Sequence, residues 1–254
     1  MPERVVLLAR KSTATAILYH ALAPHFDVHV VYEQPPSTRA LLRLRIKRLG
    51  WWKVFGQVLF QLIVAKPQAQ RATARQRAIL QEQGASDAPI PVERTSTCGS
   101  VNREDCWQVV KELQPKVVVI NGTRILSART IGALGVPVLN THVGITPMYR
   151  GVHGAYWALV QGDAAHCGVT VHLVDEGIDT GAVLYQTTIA PTASDNFSTY
   201  PTLQMVAGSA LMVKAVGEVI AGTARPVIPE GASARWHHPT LWTYWCNRIF
   251  KGVR

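Results

Sequence analysis

The sequence is poor in cysteine, and its four cysteines are not arranged as a framework. They are widely spaced along the 254 residues, and no two stand in a C-x-x-C pair: Cys98, Cys106, Cys167 and Cys246. Disulfide-stabilised small domains and structural zinc sites both depend on closer, regular spacing. The cysteine pattern therefore indicates neither class, and it predicts buried or chemically idle thiols.

Long apolar runs are also missing from the chain. No stretch approaches the roughly 20 apolar residues that a membrane span needs. The apolar segment at residues 5–9 is too short for a signal peptide and has no small-residue cleavage site before the next charges. From these absences we expect a cytoplasmic protein without a transmembrane segment.

Acidic residues are scarce relative to basic ones. The 26 Lys and Arg outnumber the 16 Asp and Glu, for a formal net charge of +10, and residues 39–53 carry six basic side chains and no acid. Such a surplus predicts an anionic partner: a phosphorylated substrate, a nucleic acid or a membrane surface. At 48% hydrophobic residues and without low-complexity tracts, the composition is that of a globular protein.

Apolar runs and helical patterns alternate along the chain. Residues 5–9, 12–22 and 28–32 read as strand, helix capped by Ser12 or Thr13, and strand, and residues 116–121, 125–134 and 138–140 repeat that order. This alternation predicts an α/β fold with a mostly parallel sheet. Polar residues come just past two of these strands, at the edge where open parallel sheets bind ligands: Asn121-Gly122-Thr123 and Asn140-Thr141-His142.

Further elements complete the predicted domain. We expect helices at 103–113, 152–161 and 198–220 and strands at 168–174 and 183–189. Residues 1–221 are predicted to form one catalytic domain, and residues 222–254 a C-terminal extension. Within the domain, residues 38–83 read as a basic insertion of two helices, split near Gly50 and ended by Pro67. This insertion could pack on the body, lie on anionic lipid or cover a phosphorylated substrate as a lid.

Asn140, His142 and Asp179 are the candidate catalytic residues. Two residues apart in an extended chain, Asn140 and His142 project to the same side and can both donate to one oxyanion. Asp179 lies in a glycine-bounded loop, where it can keep the imidazole protonated and relay a proton. Neither a nucleophilic side chain nor a metal is needed if the acceptor is an amine. Each part alone also fits a structural histidine or a turn.

Residues 117–189 resemble the 10-formyltetrahydrofolate-dependent formyltransferases. This family includes the glycinamide ribonucleotide, methionyl-tRNA and amino-sugar nucleotide formyltransferases. The resemblance rests on four stretches: Arg124-Ile125-Leu126-Ser127, Asn140-Thr141-His142, Pro147-Met148-Tyr149-Arg150-Gly151 and Val171-His172-Leu173-Val174-Asp175 through Gly181.

The resemblance implies a Rossmann-like formyltransferase fold, a mostly parallel sheet flanked by helices. It also implies a site in which Asn140, His142 and Asp179 are catalytic. The cofactor, 10-formyltetrahydrofolate, would be held by Arg124, Ile125, Leu126, Asp175, Glu176, Gly177 and Ile178. We expect the acceptor to contact Arg10, Lys11, Ser12, Tyr149, Arg150 and Gly151, with His153 facing it or packing beneath it.

Departures from the family pattern restrict the acceptor. Residues 9–14 replace the glycine-rich phosphate loop of the glycinamide enzymes, and residues 222–254 are too few for the C-terminal domain of the tRNA enzyme. We therefore expect a small anionic primary amine, an amino-sugar nucleotide or glycinamide ribonucleotide, and no nucleic acid, while peripheral membrane contact stays open. The alternative is a non-catalytic or regulatory formyltransferase-like protein whose basic insertion binds RNA or an anionic membrane.

Overall fold

Runs of β-branched residues form the strands of a seven-stranded sheet in a computed structural model, which describes residues 2–254. In chain order the strands are β1 (Arg4–Ala9), β2 (Asp27–Glu33), β3 (Thr95–Cys98), β4 (Val117–Asn121), β5 (Val138–His142), β6 (Arg150–Gly151), β7 (Gly168–Leu173), β8 (Val183–Thr188) and β9 (Arg235–Trp236). The sheet order is β3-β2-β1-β4-β5-β7-β8. Strand β7 runs opposite to all the other strands of the sheet, so its pairs with β5 and β8 are antiparallel and the remaining pairs are parallel. Strands β6 and β9 form a separate parallel pair.

Helices cover both faces of this sheet. They are α1 (Thr13–Leu22), α2 (Thr38–Leu49), α3 (Trp51–Phe60), α4 (Lys66–Glu82), α5 (Glu104–Glu112), α6 (Ala128–Leu134), α7 (Gly154–Val160), α8 (Tyr200–Ile220) and α9 (Leu241–Lys251). On one face α1, α4 and α8 pack against the strands, and on the other α5 and α6 do so. Because both faces are buried, the central strands are continuously apolar. The predicted α/β fold is confirmed.

The segment predicted as an insertion is helical almost throughout. Gly50 separates α2 from α3, as predicted, but Pro67 does not end a helix. Pro67 lies in the first turn of α4, directly after a π-helical turn at Gln61–Ala65 that joins α3 to α4, so helical backbone continues through it. The two ends of the segment differ, because α4 places Ile79 and Leu80 in the core whereas α2 buries no residue.

The residues after 222 pack onto the body of the protein through aromatic side chains. Strand β9 pairs with β6, and α9 lies against α3, where Trp242 stacks on Trp52 with ring centroids 5.2 Å apart. Tyr244 of α9 is 1% exposed and contacts Phe60 and Tyr156 in a third hydrophobic cluster. The C-terminal segment therefore completes a layer that also contains α3 and α7.

Two boundaries near the cleft differ from those expected. Strand β5 continues to His142, so Asn140 and His142 are strand residues and do not follow the strand. Pairing with the antiparallel β7 extends β5, and the sequence of β5 alone does not reveal that partner. Helix α6 starts at Ala128, three residues later than expected, because the Ser127 side chain caps it by accepting the N–H of Thr130.

Helix α8 is long and apolar enough to cross a membrane by length and composition, with a mean hydropathy of 1.4 over an 18-residue window. In the structure 44% of that window is buried, and α8 packs across the sheet with Met205, Met212 and Val216 in the core. A core helix of a folded domain meets the same criteria.

Three of the four cysteines are buried free thiols, as predicted, and Cys246 is exposed. The fold brings Cys98 at the end of β3 next to Cys106 in α5, with their sulfur atoms 2.6 Å apart. Sequence spacing did not predict this contact.

Candidate active site

A cleft of about 520 Å³ opens at the carboxyl edge of β4 and β5. The strand order reverses between β1 and β4, so the connections leave in opposite directions and the sheet edge stays open at this point. Its walls include Ile120, Leu126, Asn140, His142, Val174 and Asp179. The cleft therefore combines apolar walls with the predicted polar side chains.

Asn140 is oriented by a histidine on the neighbouring strand. The β5–β7 register places His172 directly opposite Asn140, and His172 Nε2 lies 3.2 Å from the Asn140 side-chain nitrogen. His172 Nδ1 lies 2.7 Å from the carbonyl oxygen of Leu173, which can only accept, so Nδ1 carries a proton. Burial lowers the pKa of His172. The neutral ring therefore accepts a hydrogen bond from Asn140 and holds the amide in place.

His142 is 4% exposed, and acceptors face both of its ring nitrogens. Nε2 donates to the carbonyl of Tyr149 across 2.7 Å, and Nδ1 lies 3.3 Å from Asp179 Oδ2. A doubly protonated ring satisfies both acceptors at once. The expected contact between His142 and Asp179 is thus present. In contrast to the expectation that Asn140 and His142 point at one free oxygen, the Nε2 proton is held by the protein itself.

Asp179 occupies a left-handed backbone conformation, with φ of +53°. Aspartate tolerates this region better than most residues, yet the conformation still stores strain of about 1 kcal/mol or more and persists because its surroundings hold it. Asp179 Oδ2 accepts the N–H of Gly151 at 2.9 Å, and Oδ1 lies 3.8 Å from His172 Nε2. The carboxylate therefore lies between both histidines and the backbone of β6.

The residues predicted to hold the cofactor line the cleft with one exception. Six of them contribute to its walls: Arg124, Ile125, Leu126, Asp175, Gly177 and Ile178. Glu176 is exposed and does not line it. Asp175 accepts the Gly177 N–H at 3.0 Å and the Thr180 hydroxyl at 2.7 Å, which closes the loop that carries Asp179.

Three of the six residues predicted to contact the acceptor make hydrogen bonds within the protein: Ser12, Tyr149 and Arg150. The structure does not place Arg10, Lys11 or Ser12 among the residues that line it, and Ser12 caps α1 by accepting the Thr15 N–H. The Tyr149 hydroxyl donates to Asp163 at 2.8 Å, and burial raises the pKa of that phenol.

The last two members of this group lie at the cleft rim. The Arg150 guanidinium donates to the carbonyl of Ile178 at 3.2 Å and so ties the loop to β6. Gly151 lines the cleft, and it alone of the six predicted acceptor residues does so. The predicted contacts of the other five with an acceptor therefore have no support from the cleft's walls.

Two residues near the site, His172 and Glu33, are not predicted from the sequence. His172 lies in the stretch Val171-His172-Leu173-Val174-Asp175, but its contact with Asn140 depends on the β5–β7 register. Glu33 ends β2 with a fully buried carboxylate that accepts the backbone N–H groups of Val101, at 3.1 Å, and Arg124, at 2.9 Å, and that pairs with the Arg124 guanidinium. An acid at the carboxyl end of an apolar strand is the signal that could have identified Glu33.

An open, mostly parallel sheet with an amide, two imidazoles and a carboxylate at its carboxyl edge defines a Rossmann-like α/β protein with a polar ligand cleft. Residues 56–216 match the family model described as formyl transferase. This match covers more than half of the chain, which therefore belongs to the formyl transferase family.

Relatives by sequence carry the name methionyl-tRNA formyltransferase. That of Synechocystis sp. is 32% identical over 161 residues, which is 62% of this chain and 47% of the relative. That of Pelotomaculum thermopropionicum is 28% identical over 156 residues, which is 58% of this chain and 49% of the relative. The chain thus spans about half the length of the curated relatives it matches.

Solved structures with the same fold carry other names. A sugar N-formyltransferase from Shewanella sp. superposes with a TM-score of 0.57 at 14% identity, covering 92% of this chain and 76% of that one. A phosphoribosylglycinamide formyltransferase from Anaplasma phagocytophilum gives 0.55 at 17% identity, covering 90% and 95%. At these identities the likeness shows the fold, and the predicted Rossmann-like formyltransferase fold is confirmed.

Proposed function

We propose that this chain is a folate-dependent N-formyltransferase, which transfers the formyl group of 10-formyltetrahydrofolate to the primary amine of a small phosphorylated acceptor. The supporting observation is that Asn140, His142 and Asp179 converge on one cleft in a chain of the formyl transferase family. The candidate acceptors are an amino-sugar nucleotide and glycinamide ribonucleotide. Location in the cytoplasm stays a prediction from the sequence.

The cleft's residues fit a planar folate ring. Ile120, Leu126 and Val174 provide apolar walls, and residues 124–126, 175, 177 and 178 contribute polar backbone groups to the lining. The Glu33 carboxylate accepts the backbone N–H of Arg124, so the position of this wall does not depend on a bound ligand. When bound, the cofactor supplies a formyl carbon attached to a nitrogen that can leave.

The polar side chains have distinct roles in this proposal. One Asn140 Nδ2 hydrogen is used by His172, and the second is available to an oxygen that gains negative charge. His142 adds a second donor if its ring turns from the Tyr149 carbonyl towards the cleft. Asp179 stabilises the protonated ring and takes up the proton that the attacking amine loses, directly or through water. That proton then passes to the folate nitrogen as its bond to the formyl carbon breaks.

The test compares wild type, His142→Ala and His25→Ala with 10-formyltetrahydrofolate and a panel of amines. Release of tetrahydrofolate and mass spectrometry of the formylated amine report the reaction. We expect His142→Ala to lower kcat by about 10²–10⁴-fold, as removal of an acid–base group does. His25 is exposed and does not line the cleft, so its replacement should change little. Equal rates for wild type and His142→Ala would remove the catalytic claim.

A second candidate function, attachment to an anionic membrane, is favoured by one surface. Large apolar side chains of α3 and α9 are exposed, among them Trp51 at 65%, Trp52 at 57% and Phe250 at 82%. Stacking of Trp52 on Trp242 joins the two helices into one face. Arg248 of α9 lies over the ring of Trp245, and the basic helix α2 contacts α3. Indole rings with nearby cations suit the interface of a bilayer that carries anionic lipid.

Sedimentation with vesicles tests this attachment. We expect the wild type to bind phosphatidylcholine vesicles that contain phosphatidylserine more strongly than vesicles that lack it, and the double variant Trp51→Ser, Phe250→Ser to lose binding. RNA binding at low salt that the double variant loses, with no vesicle binding by the wild type, would instead assign the surface to nucleic acid.

A further inference from the structure

A second cavity of about 410 Å³ adjoins the candidate active site. One wall is α2, and the opposite wall is the segment 235–238. Gly151 and Arg235 line both this cavity and the cleft that contains His142. The family match begins at residue 56 and ends at residue 216, so α2 and the opposite wall both lie outside it. Two walls of the cavity are thus built by parts of the chain that the family match does not cover, while Gln57, Gly151 and Val152 come from within it.

Helix α2 directs an apolar stripe into this cavity. Leu41, Leu44 and Leu49 recur at helical spacing and line it, together with Arg45 and Arg48 on the same face. A stripe of this kind ordinarily packs against protein, yet no residue of α2 is buried. The helix therefore borders an open space that both apolar and charged side chains face.

The cavity is strongly positive. Three arginines line it, Arg45, Arg48 and Arg235, and no carboxylate does. Among residues 2–254, none of the three lies within ion-pair distance of an acidic side chain. Burial, with Arg45 and His237 nearby, lowers the pKa of His238 to about 4. Burial also lowers the pKa of His237, and the charges of Lys53, Arg235 and Arg45 add to that effect.

The opposite wall is rigid. Trp236 stacks on Trp157 and on Tyr149, with ring centroids 4.8 Å and 6.0 Å away, and its indole N–H donates to the carbonyl of Met148 at 3.0 Å. Arg235 and His237 are therefore carried by a segment whose position is fixed from one side, as a preformed anion site requires.

We infer that this cavity binds the phosphate group of the acceptor and so selects phosphorylated amines. This inference rests on the proposed function. Guanidinium groups match phosphate oxygens in geometry and charge, and unpaired arginines gain most from such a ligand. The leucines of α2 contact the carbon skeleton between phosphate and amine. The amine then reaches Asn140 and His142 past Gly151, where the two spaces meet.

The test uses two pairs of substitutions on the same helix. Arg45→Gln with Arg48→Gln removes two charges from the cavity, and Arg39→Gln with Arg43→Gln removes two charges outside its lining. Calorimetric titration with inorganic pyrophosphate measures anion binding without catalysis. We expect the first pair to weaken pyrophosphate binding by about tenfold or more, and the second pair by much less.

Steady-state kinetics supply the second readout. Each variant is assayed with a phosphorylated amine and with its dephosphorylated analogue, using nucleotide and monophosphate acceptors as separate arms. We expect the cavity pair to raise KM for the phosphorylated amine by about tenfold or more, to leave KM for the folate and kcat nearly unchanged, and to abolish the preference for phosphate.

The outcomes separate this inference from the proposed function. Equal weakening of pyrophosphate binding by the two pairs, or no weakening by either, would overturn the inference even if formyl transfer is intact. Pyrophosphate binding that depends on Arg45 and Arg48 in a protein that transfers no formyl group would support the anion site and remove the proposed function.

Discussion

Replacement of Glu33 by glutamine tests whether a buried carboxylate positions residues 124–126, the wall of the cleft proposed to contact folate. The Glu33 side chain is fully buried and accepts three donors: the backbone N–H groups of Val101 and Arg124 and the Arg124 guanidinium. Glutamine has nearly the same shape, but it carries no charge and only one acceptor oxygen. At least one backbone N–H would therefore face an NH₂ group, and the guanidinium would lose its counter-charge.

The contacts give the magnitude of the effect. A hydrogen bond to a charged group contributes about 1.5–3 kcal/mol, and breaking a buried ion pair costs about 3–5 kcal/mol. Because the Arg124 side chain is 27% exposed, water replaces part of the lost partner. We expect Glu33→Gln to lower the free energy of unfolding by about 2–3 kcal/mol. It should also raise KM for the folate more than it changes kcat, since residues 124–126 line the cleft.

Urea denaturation and steady-state kinetics check the two parts of this prediction. Glu112→Gln is the matched control, because Glu112 is exposed at the end of α5 and should change stability by no more than about 0.5 kcal/mol. If Glu33→Gln is no less stable than Glu112→Gln, the carboxylate does not hold the wall. An unchanged KM for the folate in a destabilised variant would confine Glu33 to a role in folding.

Two further predictions concern the layer beside the cleft. Burial lowers the pKa values of His153 and His238 to about 3 and about 4, so the unfolded chain takes up protons first as pH falls. The free energy of unfolding, measured by urea denaturation, should be constant above about pH 6.5 and decline below it by up to about 1.4 kcal/mol per pH unit for each histidine, with a smaller decline in His153→Asn. Gly151→Ala should cost at least about 2 kcal/mol in thermal or urea unfolding, because φ is +97° and a Cβ would overlap the carbonyl oxygen of Trp236. Gly222→Ala, with open space around a similar φ, should cost about 1 kcal/mol, and equal losses would contradict the overlap.

The central strands could be predicted because their environment is uniform. Strands β1 and β4 lie between helices on both faces, so their sequences are short apolar runs that resemble no surface element. Strand β3 was missed for the opposite reason. It is an edge strand of sequence Thr-Ser-Thr-Cys with one buried residue, and only its pairing with β2 identifies it. An apolar run therefore identifies a buried central strand, whereas a polar edge strand such as β3 is identified only by its pairing partner.

The sequence predicts the shared direction of Asn140 and His142, because they lie two residues apart on one strand. It does not predict the contact with His172, because that contact depends on the register between two strands. Asn140 and His142 share one strand, so their common direction follows from the period of two. His172 reaches Asn140 only because β7 runs antiparallel beside β5 with those residues opposite each other. A shift of that register by one residue would turn His172 to the other face of the sheet.

The acceptor side depends on contacts between residues distant in sequence. Gly151 lies between the cleft and the second cavity. Its N–H donates to Asp179, and its Cα lies close to the backbone of Trp236. The carboxylate that contacts His142 therefore also fixes the strand against which the C-terminal segment pairs. Arg235 pairs in register with Arg150, which lies on the same short strand as Gly151. One backbone segment therefore contacts both the carboxylate beside His142 and the strand that carries the arginine shared by the two spaces.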